Sequence, residues 1–176
     1  HIAGPAFDDI VRMLGATPIP RHFNASDRDS IADMEREGVK ALIMPPNAGS
    51  GKGGSLEDLL AVAPDFISRL GIHTILASST DFSSDMISEV HELGVKNIIN
   101  FYGTSEAMPT AISCAEDPRT FHLAQGHIYL EVVDTQGRHV KNGERGQVVI
   151  SRIGSLDPIG IGPVEGTQLF RYAVGD

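Results

Sequence analysis

The segment from Asn100 to Glu106 combines aromatic, glycine, hydroxyl and carboxylate side chains at the end of a predicted strand, Val95 to Phe101. Open α/β folds bind ligands at the carboxyl ends of their strands. An aromatic ring such as Tyr102 can stack on a purine, and Gly103 lets backbone approach a phosphate. Hydroxyls can donate to phosphoryl oxygens, and a carboxylate such as that of Glu106 can hold Mg²⁺. A strand end followed by ordinary capping residues is the structural alternative.

A second candidate is the glycine-rich segment Gly49 to Gly54, which matches G-x-G-x-x-G between a predicted strand and a predicted helix. That context is typical of dinucleotide binding, so an NAD-type module is an alternative function for the chain. A P-loop is excluded, because Pro46 stands where its first glycine belongs and Gly53 where Ser or Thr must follow the lysine. A surface loop without a ligand is the simpler interpretation of the segment.

The elements that would position these residues alternate between helical and strand patterns over the first hundred residues. Apolar runs predict four strands separated by helices: Ala16 to Ile19, Val39 to Met44, Ile72 to Ala77 and Val95 to Phe101. Ser55 and Ser83 are predicted to begin helices, and Pro64 to break the first of these. The predicted fold class is α/β, an open and mostly parallel sheet with flanking helices, followed by a small antiparallel β part.

The pattern changes after about residue 107. Ile128 to Val133 and Gln147 to Arg152 are β-like runs, separated by turn-forming residues, and Gly154 to Gly166 is predicted to be a long loop. We therefore predict two parts, an α/β subdomain over residues 1–107 and a β-rich subdomain over residues 108–176.

Composition excludes some classes of partner. A formal net charge of −9 argues against a nucleic-acid surface, which needs clustered Lys and Arg. No apolar run approaches the roughly 20 residues of a membrane helix, and no signal peptide is evident, so we expect no membrane partner and a cytoplasmic location. The single cysteine agrees with a reducing compartment. His1 in place of Met predicts that the chain begins inside a longer reading frame.

Four segments, in order, resemble those of adenylate-forming enzymes, the superfamily of acyl-CoA synthetases and peptide-synthetase adenylation domains. Tyr102 to Glu106 resembles the motif Y-G-x-[ST]-E, Gly143 to Val149 resembles G-E-x-G-E-L, and Phe170 to Asp176 resembles R-Y-x-T-G-D. Ile75 to Ser83 lies where phenylacetate–CoA ligases carry a segment like G-[GA]-E-P-W-S. That branch also often has a cysteine and a histidine at the positions of Cys114 and His122.

The resemblance implies a role for each matching residue. Tyr102 would stack on adenine, Ser105 would contact the AMP phosphate, Glu106 would ligate Mg²⁺ and Asp176 would accept hydrogen bonds from the ribose hydroxyls. Gly103 and Thr104 would complete the nucleotide site. The remaining residues divide into those bordering adenine, Ser78, Ser79 and Thr80, and those nearest the acyl group, Phe101, Met108 and Pro109.

The implied reaction joins a small carboxylic acid, aryl acids included, to the α-phosphate of ATP. The acyl group then passes from AMP to the thiol of CoA or of a carrier protein. The family's phosphate loop lies upstream of this region and its lysine-bearing lid downstream, so we expect the 176 residues to be inactive alone.

Two departures from the pattern keep a non-catalytic homologue open as an alternative: Thr80 replaces the usual Glu, and Ala173-Val174 replaces x-Thr. Cys114, His122 and His127 match no trusted zinc pattern, and a buried thiol with two ordinary histidines is the simpler interpretation.

Overall fold

The computed structural model describes residues 4–13, 15–19, 28–47, 54–104, 107–126, 128–152 and 169–175. They form five helices: α1 (Gly4–Met13), α2 (Arg28–Glu37), α3 (Leu56–Val62), α4 (Phe66–Leu70) and α5 (Ser84–Glu92). They also form eight strands: β1 (Ala41–Ile43), β2 (Thr74–Ser78), β3 (Asn97–Thr104), β4 (Ala107–Ser113), β5 (Phe121–Leu123), β6 (Ile128–Val133), β7 (Gln147–Arg152) and β8 (Tyr172–Ala173).

The strands make two sheets. The first has five strands in the order β1-β2-β3-β4-β5, with β1, β2 and β3 parallel and the last two antiparallel. The second is the antiparallel sheet β6-β7-β8. The predicted fold class, a mostly parallel sheet with helices followed by a small antiparallel sheet, is confirmed.

One face of the first sheet forms the main core. Leu42, Ile75 and Ile98 are register partners on adjacent strands, and all three are buried. The apolar sides of the helices pack on them, including Phe66 and Ile67, which are fully buried. Each such large side chain contributes about 1.5–3 kcal/mol of burial free energy. This packing fixes where the strands end, and hence where side chains at the rim of the sheet stand.

The helix starts and the helix break that the sequence predicts are confirmed. Ser55 caps α3, Ser83 caps α5, and Pro64 lies in the interruption between α3 and α4. Gly71 ends α4 in the left-handed conformation, where glycine has no Cβ penalty.

Ser55 and Asp58 form a reciprocal capping box at the start of α3. The Ser55 hydroxyl donates to Asp58 Oδ2 at 2.7 Å and accepts from the Asp58 N–H at 3.2 Å, and the Ser55 N–H donates to the same carboxylate at 3.1 Å. The hydrogen bond from the Ser55 side chain, together with that from its backbone, holds the pKa of Asp58 below its ordinary value of 3.8.

We therefore predict that Ser55→Ala lowers the free energy of unfolding by about 1 kcal/mol at pH 7 and raises the pKa of Asp58. A carboxyl group whose pKa is lowered by folding stabilises the protein above the unfolded value, and that contribution disappears as the pH falls through the lower folded pKa. The deficit of the variant should accordingly shrink at acidic pH. Urea unfolding at several pH values measures it, and a deficit that stays constant down to pH 2 would contradict the assigned cause.

The hairpin between β6 and β7 depends on one close backbone approach. A Cβ added at Gly146 would lie 2.4 Å from the carbonyl oxygen of Val133 and 3.0 Å from Val132 Cγ1. Only glycine fits such a position. Close packing against Val133 therefore explains why the second glycine of the segment Gly143 to Val149 is a glycine.

Two expectations need correction. Ala16 to Ile19 is irregular rather than a strand, because an apolar run of four residues carries no information about whether a neighbouring strand is available to pair with it. The first sheet also continues beyond residue 107 through β4 and β5, so the change of sheet falls after Leu123. The division into subdomains at 107 stays a prediction, and Gly154 to Gly166 lies outside the described residues.

In the part of the chain that the structure describes, no helix has both the length and the apolar character needed to cross a membrane.

Candidate functional site

The candidate site begins where β3 extends past its parallel neighbour. Ser78, the last residue of β2, is the register partner of Phe101, so Tyr102, Gly103 and Thr104 project three residues further. On the other side, β4 runs antiparallel to β3 and supports this extension. The predicted aromatic and hydroxyl residues therefore stand at the carboxyl rim of the parallel strands, the usual ligand-binding edge of such sheets.

The register of β3 and β4 shifts between Tyr102 and Thr104, because Gly103 alone lies between these two residues whereas residues 108–110 lie between their partners on β4. Irregularities of this kind re-aim side chains beside functional sites. Thr104 then pairs with Ala107, and the Thr104 hydroxyl oxygen accepts a hydrogen bond from the Ala107 N–H at 3.2 Å. Only Ser105 and Glu106 lie between the paired residues. The site's best candidates for phosphate and metal contacts thus occupy the connection between β3 and β4.

Tyr102 is half-buried and packs edge-on against Phe121 of β5, with ring centroids 6.3 Å apart and planes at 68°. That geometry is a favourable aromatic arrangement, and it orients the tyrosine ring at the rim. Phe101 is also half-buried, on the opposite face of the strand from Asn100.

Asn100 is a residue to which the sequence analysis assigned no role. Its side chain is 2% exposed, and its Nδ2 has no hydrogen-bond partner among the described residues, although its backbone N–H donates to Ser113 Oγ at 2.8 Å. A buried amide donor without a partner costs about 1–3 kcal/mol. The sequence feature that could have pointed to Asn100 is its position at the start of the segment Asn100 to Glu106.

The segment after β2 carries the residues expected beside adenine. Ser78 is half-buried, and Ser79 is exposed with φ of +80°, a left-handed conformation that favours glycine and is uncommon for serine. That backbone explains why a glycine suits this position in the resembling segment. The Thr80 hydroxyl is buried and, among the described residues, lacks a hydrogen-bond partner.

A small apolar cluster joins the first sheet to the second. Ala107, the residue after Glu106, is 6% exposed and clusters with Ile128 and Ile150 of the second sheet. Val174, two residues before Asp176, packs against the same cluster. The ends of the two motifs, more than sixty positions apart in the chain, are therefore anchored to one packed unit. The valine that departs from the expected threonine serves this packing.

The remaining predicted site residues are less well defined. Ser105, Glu106 and Asp176 lie outside the described residues, as does Gly49 to Gly53. Met108 and Pro109 lie on β4, and the structure describes their backbone only.

Cys114, His122 and His127 are the residues of the alternative metal site. Cys114 is a free, half-buried thiol directly after β4, and His122 is exposed on β5. His127 lies outside the described residues. Within those residues, no group of three or more His, Cys, Asp or Glu side chains could hold a metal ion.

An open cleft of about 410 Å³ lies elsewhere, on the second sheet, between Tyr129, Glu131, Ser151, Arg152, Leu169, Phe170 and Arg171. None of these residues belongs to the first sheet, so this cleft does not include the candidate residues at the end of β3.

No family model and no curated protein matches the sequence. Solved structures do match, and this chain shares the fold of the matching part of each. One is a 2-hydroxyisobutyryl-CoA ligase in complex with 2-HIB-AMP and CoA, with a TM-score of 0.69 and 16% identity over 96% of this chain and 35% of that chain. Another is the anthranilate CoA ligase AuaEII in complex with anthranoyl-AMP, with a TM-score of 0.60 and 20% identity over 78% of this chain and 26% of that one.

A third is the N-terminal domain of FACL13 from Mycobacterium tuberculosis, with a TM-score of 0.60 and 17% identity over 86% of this chain and 38% of that one. The chain thus spans about a third of the length of the structures it resembles. At these identities the likeness establishes the fold.

Proposed function

We propose that this chain is part of an ATP-dependent, AMP-forming carboxylate–CoA ligase and that it contributes half of an acyl-adenylate site. The observation that carries the proposal is the apolar cluster shared by Ala107 and Val174. It anchors the chain next to Glu106 and next to Asp176 in one packed unit. A single nucleotide could then meet both motifs.

Each residue has a role in this proposal. Tyr102 stacks on adenine, Ser78, Ser79 and Thr80 border it, and Gly103 and Thr104 shape the turn. Ser105 donates to the α-phosphate, and Asp176 accepts from the ribose hydroxyls. Phe101, Met108 and Pro109 lie nearest the acyl group.

The proposed chemistry requires no protein nucleophile. An oxygen of the substrate carboxylate attacks the α-phosphorus of ATP, the bond to the β-phosphate oxygen breaks, and pyrophosphate leaves. A thiol of CoA or of a carrier protein then attacks the acyl carbon and releases AMP. Because two anions must meet in the first step, positioning and charge stabilisation dominate catalysis. Glu106 would hold Mg²⁺, which neutralises phosphate charge and is commonly bound by one or two carboxylates together with the nucleotide.

Two further observations support the proposal. Among the described residues, the buried Asn100 Nδ2, midway along β3, and the buried Thr80 hydroxyl, two residues after β2, have no hydrogen-bond partner. Groups of this kind are rarely left unpaired without a ligand or water to satisfy them. An adenine ring offers both donors and acceptors.

Among the described residues, one face of the first sheet carries exposed apolar side chains, and this supports the proposal that the chain is part of a larger protein. Ile43 is 44% exposed and Ile112 is 50% exposed, on the face opposite to the core. Parallel sheets are normally covered on both faces.

We include in the proposal a place in the phenylacetate–CoA ligase branch, on the resemblance at Ile75 to Ser83, and a cytoplasmic location.

The direct test is the stabilisation of the intact protein by a non-hydrolysable acyl-sulfamoyl-adenosine, with NAD as the competing hypothesis. At a ligand concentration 100 times the dissociation constant, binding adds about 2.7 kcal/mol to the free energy of unfolding. We expect the adenylate analogue to raise Tm and NAD to leave it unchanged.

Tyr102→Ala should weaken this stabilisation, whereas Tyr129→Ala, at a 52% exposed tyrosine of the second sheet, should preserve it. A rise in Tm with NAD alone would favour a dinucleotide-binding module. Binding of the analogue by an intact protein that releases no pyrophosphate would favour a non-catalytic homologue.

A further inference from the structure

A buried carboxylate lies on the second sheet. The Glu131 side chain, on β6, is only 6% exposed, and it meets Arg171 Nη2 at 3.2 Å and His139 Nε2 at 3.0 Å. The Arg171 Nε also donates to Glu131 Oε2 at 3.3 Å, so the guanidinium contacts both carboxylate oxygens. Two-point contacts between arginine and carboxylate fix geometry as well as charge. The contact joins residues 40 positions apart in the chain.

Arg171 makes more anchoring contacts than this ion pair. Its guanidinium also donates to the Gly137 carbonyl at 2.9 Å, and its backbone N–H donates to the Ser151 hydroxyl at 2.9 Å. Its φ is +44°, a left-handed conformation that a non-glycine residue adopts only when its surroundings enforce it. Side-chain contacts with β6 and the β6–β7 turn thus determine the backbone direction at residue 171.

Beyond Arg171, the segment 172–175 is held by a short edge strand and by the packing of Val174 against the apolar cluster. The edge strand β8 is two residues long, and Tyr172 within it is 40% exposed. Beyond it, the Val174 N–H donates to the Val148 carbonyl at a long 3.3 Å. So short an edge strand has few hydrogen bonds to define its position.

We propose that Glu131 and Arg171 act as a clamp that positions the segment 172–175 and, through it, Asp176 at the nucleotide ribose. The consequence for ribose rests on the proposed function, whereas the clamp itself does not. Both are positioning residues, since their action reaches the nucleotide through Asp176.

The chain supplies a matched control for the clamp. Arg138 and Asp134 form a second arginine–carboxylate pair at 2.9 Å on the turn after β6, but the Arg138 side chain is 71% exposed and that of Asp134 is 32% exposed. Solvent-exposed pairs contribute little to stability. Arg171→Lys and Arg138→Lys therefore make the same chemical change at a buried and at a partly exposed carboxylate.

The first experiment measures hydrogen exchange in the 176-residue chain. We expect Glu131→Gln and Arg171→Lys each to accelerate exchange of the Val174 amide by about tenfold or more, because local opening of β8 becomes easier. Amides of β3 should be unaffected, and Arg138→Lys should match the wild type. Unchanged exchange at Val174 in a folded Glu131→Gln protein overturns the clamp. If Glu131→Gln does not fold, unchanged exchange of the Val174 amide in Arg171→Lys overturns the clamp instead.

The second experiment compares acyl-sulfamoyl-adenosine with its 2′,3′-dideoxy form. The wild type should prefer the form with ribose hydroxyls by roughly 10- to 100-fold, as expected for hydrogen bonds to a charged group. That ratio should fall towards one in Glu131→Gln and persist in Arg138→Lys. General destabilisation weakens both ligands alike, so it leaves the ratio unchanged.

The two readouts separate the two hypotheses. A wild type that binds neither compound contradicts the proposed function, and Val174 exchange still decides the clamp. A wild type that discriminates between the compounds as strongly as Glu131→Gln does upholds the proposed function and overturns the positioning role.

Discussion

Replacing Glu106 by alanine is expected to reduce carboxylate-dependent pyrophosphate release by at least about 100-fold in the intact ligase, because it removes the proposed carboxylate ligand of the metal. Glu106 follows β3 in sequence, between the paired residues Thr104 and Ala107, so its replacement changes neither residue of that pair. The measurement is acid-dependent pyrophosphate release at saturating ATP, repeated over a range of Mg²⁺ concentrations.

A control is available in the same part of the first sheet. Glu116 is an exposed carboxylate in the connection between β4 and β5, and Glu116→Ala should leave the rate unchanged. Partial recovery of the Glu106→Ala rate at high Mg²⁺ would support a weakened metal site. Wild-type rates at low Mg²⁺ would remove Glu106 from it.

Gly146→Ala is expected to lower the free energy of unfolding by about 1–3 kcal/mol, the usual cost of forcing atoms into a packed site. The new Cβ would lie 2.4 Å from the Val133 carbonyl oxygen, and a backbone atom cannot move aside as the tip of a flexible side chain can. Val148 of this hairpin accepts a hydrogen bond from the Val174 N–H, and Val174 lies two residues before the proposed ribose ligand Asp176. Binding of the adenylate analogue should therefore weaken as well.

Gly126→Ala provides the comparison. A Cβ at Gly126 would meet nothing within 4 Å, so this variant should unfold at the wild-type urea concentration. Equal midpoints for the two variants would show that the hairpin can relax around the added methyl group.

Local physics explains what could be predicted from sequence. Ser55, Pro64 and Ser83 act through hydrogen bonds and steric contacts within a few residues, so their effects on the helices hold in the structure. The strand predicted at Val95 to Phe101, which corresponds to β3, and the β-runs of the second sheet were likewise predictable from their apolar residues.

Pairing between distant segments was not predictable in the same way. Ala16 to Ile19 has the composition of a strand but not its structure, while β4 and β5 join a sheet that the sequence pattern ends near residue 107. A pattern of apolar residues indicates that a face will be buried, but not which other segment will cover it.

The sequence by itself therefore determined the residue types at the candidate site, the elements that precede them and the order of the motifs along the chain. The tertiary structure alone decided that Ala107 and Val174 share one apolar cluster and that Glu131 forms an ion pair with Arg171. These contacts join residues 67 and 40 positions apart in sequence. Closing such long loops costs conformational entropy that no local pattern encodes, and only the packing of both sheets together offsets it.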